Sequence, residues 1–235
     1  DNRRNYFMKI LAVTDMHSGS DVNYPFDFLG GPDYPNSLGS QFPKLFEKLK
    51  KHFDQYDLIV NVGDAIVDKF NKEGNGSIEH DHDLDLYKKF LRYFTDIKKP
   101  ILHVLGNHDV WNIPSEELSA LFGKEKGYYS EIHGGIRHII LFARWNDSIR
   151  NGLKDETVMP EEEITWLAEE LKKDDLPIIV YIHYPIDEQD IASNYYFMGK
   201  KDIVFVEQRE VLRKLLEESG KVLLVVQGHT HFYHM

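Results

Sequence analysis

The chain has 235 residues, enough for one large domain or two small ones. Hydrophobic residues make up 42% and aromatics 13%, which supports a packed core and argues against disorder. Net charge is -11, from 28 basic and 39 acidic residues, with no basic run and no cysteine. Non-specific nucleic-acid binding is therefore disfavoured, and disulfides, zinc–thiolate sites and a cysteine nucleophile are excluded. An acidic protein that handles phosphate needs local positive charge, and metal ions are the obvious source.

No apolar run reaches the length of a membrane span. Phe7 to Val13 is too short and poorly flanked for an intact signal peptide, so the expected location is cytoplasmic unless a signal peptide has already been removed. Met8 is either the natural start behind a tag remnant, or the ends are trimmed.

In chain order, residues 8 to 14 read as the first strand, running into Asp15-Met16-His17. Ser18 to Gly39 is long and rich in Gly, Pro, Asp, Asn and aromatics, either a wall of a substrate pocket or a self-packed loop. Phe42, Leu45, Phe46, Leu49 and Phe53 recur at helical spacing over 41 to 53. Asp57 to Val62 is a second strand ending in Gly63-Asp64, and Phe70 to Ile78 a second polar excursion. Glu79-His80-Asp81-His82-Asp83 reads as the solvated N-terminal cap of a helix marked by Tyr87, Phe90, Leu91, Phe94 and Ile97. Residues 100 to 105 are a third strand, ending in Gly106-Asn107-His108-Asp109.

Ser115 to Phe122 is a short helix with Ser115 as its N-cap. Tyr128 to Ile132 and Ile136 to Phe142 are strands joined by His133-Gly134-Gly135, a hairpin signal that starts a second sheet. Pro160, with Glu161, Glu162 and Glu163, opens a helix whose apolar face is Ile164, Leu167, Ala168 and Leu171. Residues 177 to 183 are a strand, 207 to 218 a helix with Val211, Leu212, Leu215 and Leu216, and 221 to 227 a strand ending at Gly228-His229-Thr230-His231. Strand and helix alternate, so the fold class is α/β and the chain reads as a single domain over 1 to 235.

Five apolar strands thus end in carboxylates, an amide or imidazoles. Ligands bind at the carboxyl ends of strands in open α/β sheets, so one site assembled from five strand ends is expected. Two carboxylates (Asp15, Asp64), one amide oxygen (Asn107) and four imidazoles (His17, His183, His229, His231) make seven N/O ligands without sulfur. That set suits borderline divalent metals such as Mn, Fe or Zn, and is too large for one tetrahedral ion. Two ions sharing Asp64 would use all seven and keep a net positive charge for a phosphate ester. His108, beside Asn107, cannot readily share its ion and is assigned the leaving group's proton or its developing charge. Asp109 is assigned the orientation of the His108 imidazole.

The ordered blocks Asp15-Met-His17, Gly63-Asp64, Gly106-Asn-His-Asp109, His183 and Gly228-His-Thr-His231 resemble the calcineurin-like metallophosphoesterase superfamily over nearly the whole chain. The resemblance implies a four-layer α-β-β-α sandwich, two mixed sheets flanked by helices, around a dinuclear site. It places Asp15, His17 and His231 on one metal and Asn107, His183 and His229 on the other, with Asp64 shared and His108 as acid or transition-state donor. Gly19 and Asp68 also fall at family positions, Asp68 as a structural residue. The family usually continues for further strands after Gly-His-x-His, whereas this chain stops at Met235; either it is cut, or the second sheet is completed otherwise.

The expected activity is metal-dependent hydrolysis of a phosphate ester by a metal-bound hydroxide, with His108 assisting the leaving group. Tyr128-Tyr-Ser, Ile139-Ile-Leu and Glu162-Glu-Ile-Thr-Trp166-Leu are similar in order to the cyclic-nucleotide and nucleotide-diphosphate branches, which favours a small diester, cyclic nucleotide or nucleotide diphosphate. A phosphomonoesterase, a protein phosphatase or a nuclease on the same fold are the alternatives; a non-catalytic scaffold would lack ligands, and none is missing. Tyr184 and Pro185 are assigned the pocket floor. Tyr195, Tyr196 and Phe197 either stack on a flat leaving group or pack. His52, His103, His133, His138 and His234 read as structural or surface residues.

Overall fold

The elements follow in the order β1 (Ile10–Val13), α1 (Ser37–Lys50), β2 (Leu58–Val62), α2 (Gly76–Arg92), β3 (Ile101–Val104), α3 (Asn107–Val110), α4 (Ser115–Leu121), β4 (Tyr129–His133), β5 (Ile136–Ile140), β6 (Arg144–Trp145), β7 (Thr157–Val158), α5 (Glu161–Glu170), β8 (Ile178–Tyr181), α6 (Arg209–Ser219) and β9 (Val222–Val226). They come from a computed structural model that describes residues 8–19, 37–67, 76–145, 157–192, 197 and 204–231. β1, β2 and β3 form a parallel sheet in that order, and β4-β5-β8-β9 a second sheet with β4 antiparallel to β5. The resemblance implies two mixed sheets; among the described strands only the second is mixed. The connections between β1, β2 and β3 are long and helical, as parallel crossovers require.

Side-chain alternation builds the layers. Leu58, Val60 and Val62 of β2 point into the space between the sheets, meeting Ile179 and Tyr181 of β8 and Ile140 of β5. Ile59 points the other way, into a cluster with Phe42 and Phe46 of α1 and Tyr87 and Phe90 of α2. Ile178, Val180 and Ile182 face away from the gap, against Leu167 and Leu171 near α5 and Leu212 and Leu216 of α6. The result is helix, sheet, sheet, helix. β2 is buried on both faces along its length, which is why it reads as an unbroken apolar run. Each such side chain contributes roughly 1.5–3 kcal/mol on leaving water.

Several boundaries differ from the sequence reading. α1 begins at Ser37, runs through Pro43 and ends at Lys50, leaving Phe53 in a short 3-10 turn. Leu45 and Val211 are half-exposed, so the buried stripes of α1 and α6 are narrower than their apolar spacing suggests. α2 begins at Gly76, so residues 79–83 lie inside the helix and do not form a solvated cap. Asp83 is fully buried, accepts 2.7 Å from Asn112 Nδ2 and lies 2.9 Å from His82 Nδ1. Pro114, not Ser115, is the N-cap of α4. Most of the Ser18 to Gly39 stretch and residues 70–75 lie outside the described residues. Among the described residues, no helix is long and apolar enough to cross a membrane.

Candidate metal centre

Strand register brings the motifs together. Val13 of β1 pairs with Asn61, and Val62 with Val104, so Asp15, Asp64 and Asn107 leave their strands side by side. Tyr181 pairs with Val226, which sets His183 beside the Gly228-His229 turn. Backbone bonds then lace the loops. Asp15 N–H donates to Gly63 O at 3.0 Å, His17 N–H to Asp64 O at 2.9 Å and Gly228 N–H to His183 O at 2.9 Å. Carboxylates tie the loops further: His229 N–H donates to Asp15 Oδ2 at 3.0 Å across the two sheets, and His108 N–H to Asp64 Oδ1 at 2.9 Å within the first.

Two motif glycines are required by close approach. A Cβ on Gly106 would lie 2.2 Å from Asp64 Oδ1 and 2.4 Å from Asp64 N. One on Gly228 would lie 2.1 Å from Thr14 Oγ1 and 2.9 Å from Asp15 Oδ2. Neither contact can relax, because each neighbour is fixed by the loop that carries a candidate ligand.

The donor atoms form overlapping groups. Asp15, His17 and His231 offer one atom each within 4.8 Å of one another, as do Asp64, His183 and His229, and also His17, Asp64 and His108. Asp64 Oδ2 lies 3.2 Å from His183 Nε2, 3.9 Å from His17 Nε2 and 4.0 Å from His108 Nε2, between the first two groups. His231 Nε2 is 3.2 Å from Asp15 Oδ1 and 3.3 Å from His17 Nε2. Asn107 is buried beside them.

The donor set fits divalent cations. Asn107 Oδ1 is buried with no hydrogen-bond partner, while buried Asp15 Oδ1 and His183 Nε2 each face another candidate donor, His231 Nε2 and Asp64 Oδ2, at 3.2 Å. An unpaired buried polar atom costs about 1–3 kcal/mol, and a cation at Asn107 Oδ1 would remove that cost. The backbone adds a second sign. Among the described residues, the non-glycine positions in the left-handed region are Asp15, His17, Asp64, His229 and His231, with φ from 42° to 70°. Each conformation costs on the order of 1–2 kcal/mol. Strain confined to one candidate donor set marks a site, because the rest of the fold must hold it in place.

The electrostatics agree. Burial would raise Asp15, but the His231 bond and the His183 charge prevail and hold it at about 2. Asp64 is likewise held well below the usual range against its burial, chiefly by His183 and His108. Burial, with the neighbouring His108, lowers His17 to about 4, so its ring is neutral and able to coordinate. Burial disfavours a charged His183, yet Asp64 outweighs it and lifts the ring to about 9. The same negative field would attract a cation.

Other expected site residues fall differently. Asp109 does not reach the His108 imidazole through the bonds it makes. Its Oδ1 accepts from Ala65 N–H at 2.9 Å and Ile66 N–H at 3.3 Å, and its Oδ2 from Gly106 N–H at 2.8 Å. It ties the Gly-Asp loop to the Gly-Asn-His turn, and burial beside Asp64 pushes it up to about 7. Tyr184 is 1% exposed and packs beneath His229, so it acts on the site through that ring and has no surface of its own for substrate. Phe197 is packed as well, while Tyr195, Tyr196, Asp68 and His234 lie outside the described residues. Gly19 has φ 110° and packs against Leu86 of α2. Thr14 was not singled out from sequence; its hydroxyl donates to Asp15 Oδ2 at 2.6 Å, and its place directly before the aspartate was the available signal.

The profile of the calcineurin-like phosphoesterase family matches residues 8–233. The chain belongs to this family. Among characterised phosphoesterases, a manganese-dependent ADP-ribose/CDP-alcohol diphosphatase from Arabidopsis thaliana is 30% identical over 102 residues, 43% of this chain and 30% of that protein. The serine/threonine-protein phosphatase CPPED1 from Bos taurus is 29% identical over 142 residues, 56% of this chain and 41% of that protein. The chain thus spans less than half the length of either relative. The crystal structure of a dimetal phosphatase from Danio rerio superposes with a TM-score of 0.68 at 16% identity, over 95% of this chain and 82% of that one. That of a phosphopantetheinyl hydrolase from Mycobacterium tuberculosis gives 0.51 at 13% identity, over 96% and 84%. At such identity these two likenesses establish the shared α-β-β-α fold.

Proposed function

We propose that this phosphoesterase-family chain, acting as one domain, hydrolyses a small phosphate ester with two divalent cations. Asp15, His17 and His231 would hold one, Asn107, His183 and His229 the other, and Asp64 both. The observation that carries the reading is the convergence of these donors from five strand ends, one of them, Asn107, with a buried oxygen that lacks a hydrogen-bond partner. When bound, such a pair of cations lowers the pKa of water and neutralises phosphate charge along an in-line displacement.

The protein's own groups do the rest. His108 is the most exposed imidazole of the His17, Asp64, His108 group, with 28% of its side chain open. Its main-chain N–H is fixed to Asp64 Oδ1, so the ring stands over the shared carboxylate. From there it delivers a proton to the departing oxygen or hydrogen-bonds its growing charge. Asp109 holds the two loops that carry Asp64 and His108 in register.

The favoured substrate is a nucleotide diphosphate or similar small diester, supported by the diphosphatase relative. A protein phosphatase is the second reading, supported by the other relative. A hydrolysis screen with Mn2+ tests both, over a nucleotide diphosphate ester, a cyclic nucleotide, bis-p-nitrophenyl phosphate, p-nitrophenyl phosphate and a phosphopeptide. Fastest turnover of the diphosphate is expected, and abolition by chelator. Preference for the phosphopeptide favours the second reading, and chelator-resistant activity overturns both.

A further inference from the structure

We infer that Phe197 is a positioning residue for His229, and that the small cluster of Ile191, Phe197, Val204 and Phe205 thereby sets how tightly one of the two cations is held. The inference rests on the two-cation reading above. His229 sits in a strained backbone, φ 70°, at the end of an edge strand, and its N–H is spent on Asp15. Its imidazole is only 5% exposed because aromatic rings enclose it. The Tyr184 ring centroid is 4.5 Å away, Phe197 4.9 Å and His183 5.2 Å. His183 and Tyr184 lie in the turn directly after β8, and Tyr184 belongs to the second sheet's core. Phe197 does not. It belongs to a separate small cluster with Ile191, Val204 and Phe205, carried by the β8-to-α6 connection.

A ring held at van der Waals distance by a packed aromatic has one accessible rotamer, and a coordinating histidine must be fixed before the ion arrives. Phe197 is itself packed, with only 9% of its surface exposed. Among the described residues, the candidate ligand ring that Phe197 packs against is His229, of the Asp64, His183, His229 group, and not one of the Asp15, His17, His231 group. The two halves of the centre are therefore supported differently. Loosening the satellite cluster should weaken the His183/His229 half and spare the other.

The test is calorimetric titration of metal-stripped protein with Mn2+, on wild type, Phe197→Ala and Phe197→Leu, with circular dichroism for folding. Wild type should take up two ions per chain; if it does not, the two-cation reading fails and this inference goes with it. Given two, Phe197→Ala should weaken one step about 10–100-fold and leave the other within a factor of about two, as for substitutions that orient a ligand. Phe197→Leu should recover most of the loss and stands in if the alanine variant does not fold. Unchanged affinity at both steps, or equal loss at both in a folded variant, overturns the inference.

Discussion

His183 Nδ1 lies 2.9 Å from the carbonyl oxygen of Val62, so its N–H donates a hydrogen bond from the second sheet to the first. The bond keeps a proton on Nδ1 and turns Nε2 towards Asp64, so that Nε2 is the nitrogen that would give up its proton to a cation. His183 is therefore structural as well as a candidate ligand, and does more for the fold than the exposed His231, which meets Asp15 Oδ1 at 3.2 Å. In chelator-treated protein, His183→Ala should cost about 3 kcal/mol from the lost buried bond and the cavity. His231→Ala should cost less, about 1 kcal/mol, for the loss of one partly exposed hydrogen bond to Asp15. Urea unfolding measures both, and equal losses would contradict the distinction.

The left-handed backbone at His17, φ 42°, gives a test of strain free of metal chemistry. Alanine and glycine both remove the imidazole, so the difference between the two variants reads the backbone alone. Glycine ordinarily destabilises relative to alanine by about 0.5–1 kcal/mol. Here the order should reverse, with His17→Gly more stable than His17→Ala by about 1 kcal/mol. An alanine variant as stable as the glycine one would mean that no strain is stored there.

Among the described strands β3 lies at the edge of its sheet, and Tyr129 of β4 finishes it. The His103 N–H donates to the Tyr129 hydroxyl at 2.9 Å, and that hydroxyl donates to His103 O at 3.1 Å. One side chain thus replaces one residue of a missing neighbour strand. Tyr129→Phe should destabilise by about 1–3 kcal/mol, leaving two buried backbone groups unpaired. Thermal unfolding gives the cost, and Mn2+ titration should be unchanged, since Tyr129 touches no candidate ligand. A loss below about 0.5 kcal/mol would show that water pairs these groups instead.

The sequence made the strands and the site visible for one reason: every strand that meets the site is apolar and ends at a polar motif. β2 and β8 are buried on both faces, so their apolar runs are unbroken. What the sequence hid was polar burial. Asp83, Glu163 and Glu170 look like solvated helix acids, yet all three are buried. Glu163 accepts from Phe142 N–H at 2.7 Å, and Glu170 pairs with Arg137 and Ser130. Their partners lie on other elements, and no local pattern names them. Asp109 was misread for the same reason. Its neighbour in sequence is His108, but the groups that bind it are the amides of Ala65, Ile66 and Gly106.

Acid should expose two more buried groups. Burial among Phe90, Phe94 and Phe122 lowers His103 from 6.5 to about 4. Burial also lowers His138, beside Tyr181, to about 4. The folded state keeps these rings neutral, so the unfolded chain binds the extra protons. Stability is then full above pH 6.5 and is lost as pH falls towards 4, on the order of 3 kcal/mol for His103. His103→Leu should flatten the stability–pH slope in that window, leaving the part due to His138. Urea midpoints between pH 7 and pH 4 measure it, and an unaltered slope would rule His103 out as a source.

His108 separates chemistry from metal binding. Its ring is 4.8 Å from His17 and its Nε2 4.0 Å from Asp64 Oδ2, close enough to serve either purpose. Alanine keeps the main-chain bond to Asp64 and removes only the imidazole. If the ring serves the leaving group, His108→Ala should lower kcat about 10²–10⁴-fold with both ions retained. The loss should also depend on the substrate. An alkoxide leaving group needs the proton, whereas p-nitrophenolate departs without one, so the defect should shrink by at least about tenfold on p-nitrophenyl esters. Metal content by elemental analysis and kcat on the two substrate types decide the matter. A variant that loses an ion in step with its activity, equally on both substrates, would make His108 a ligand and leave the proton to another group.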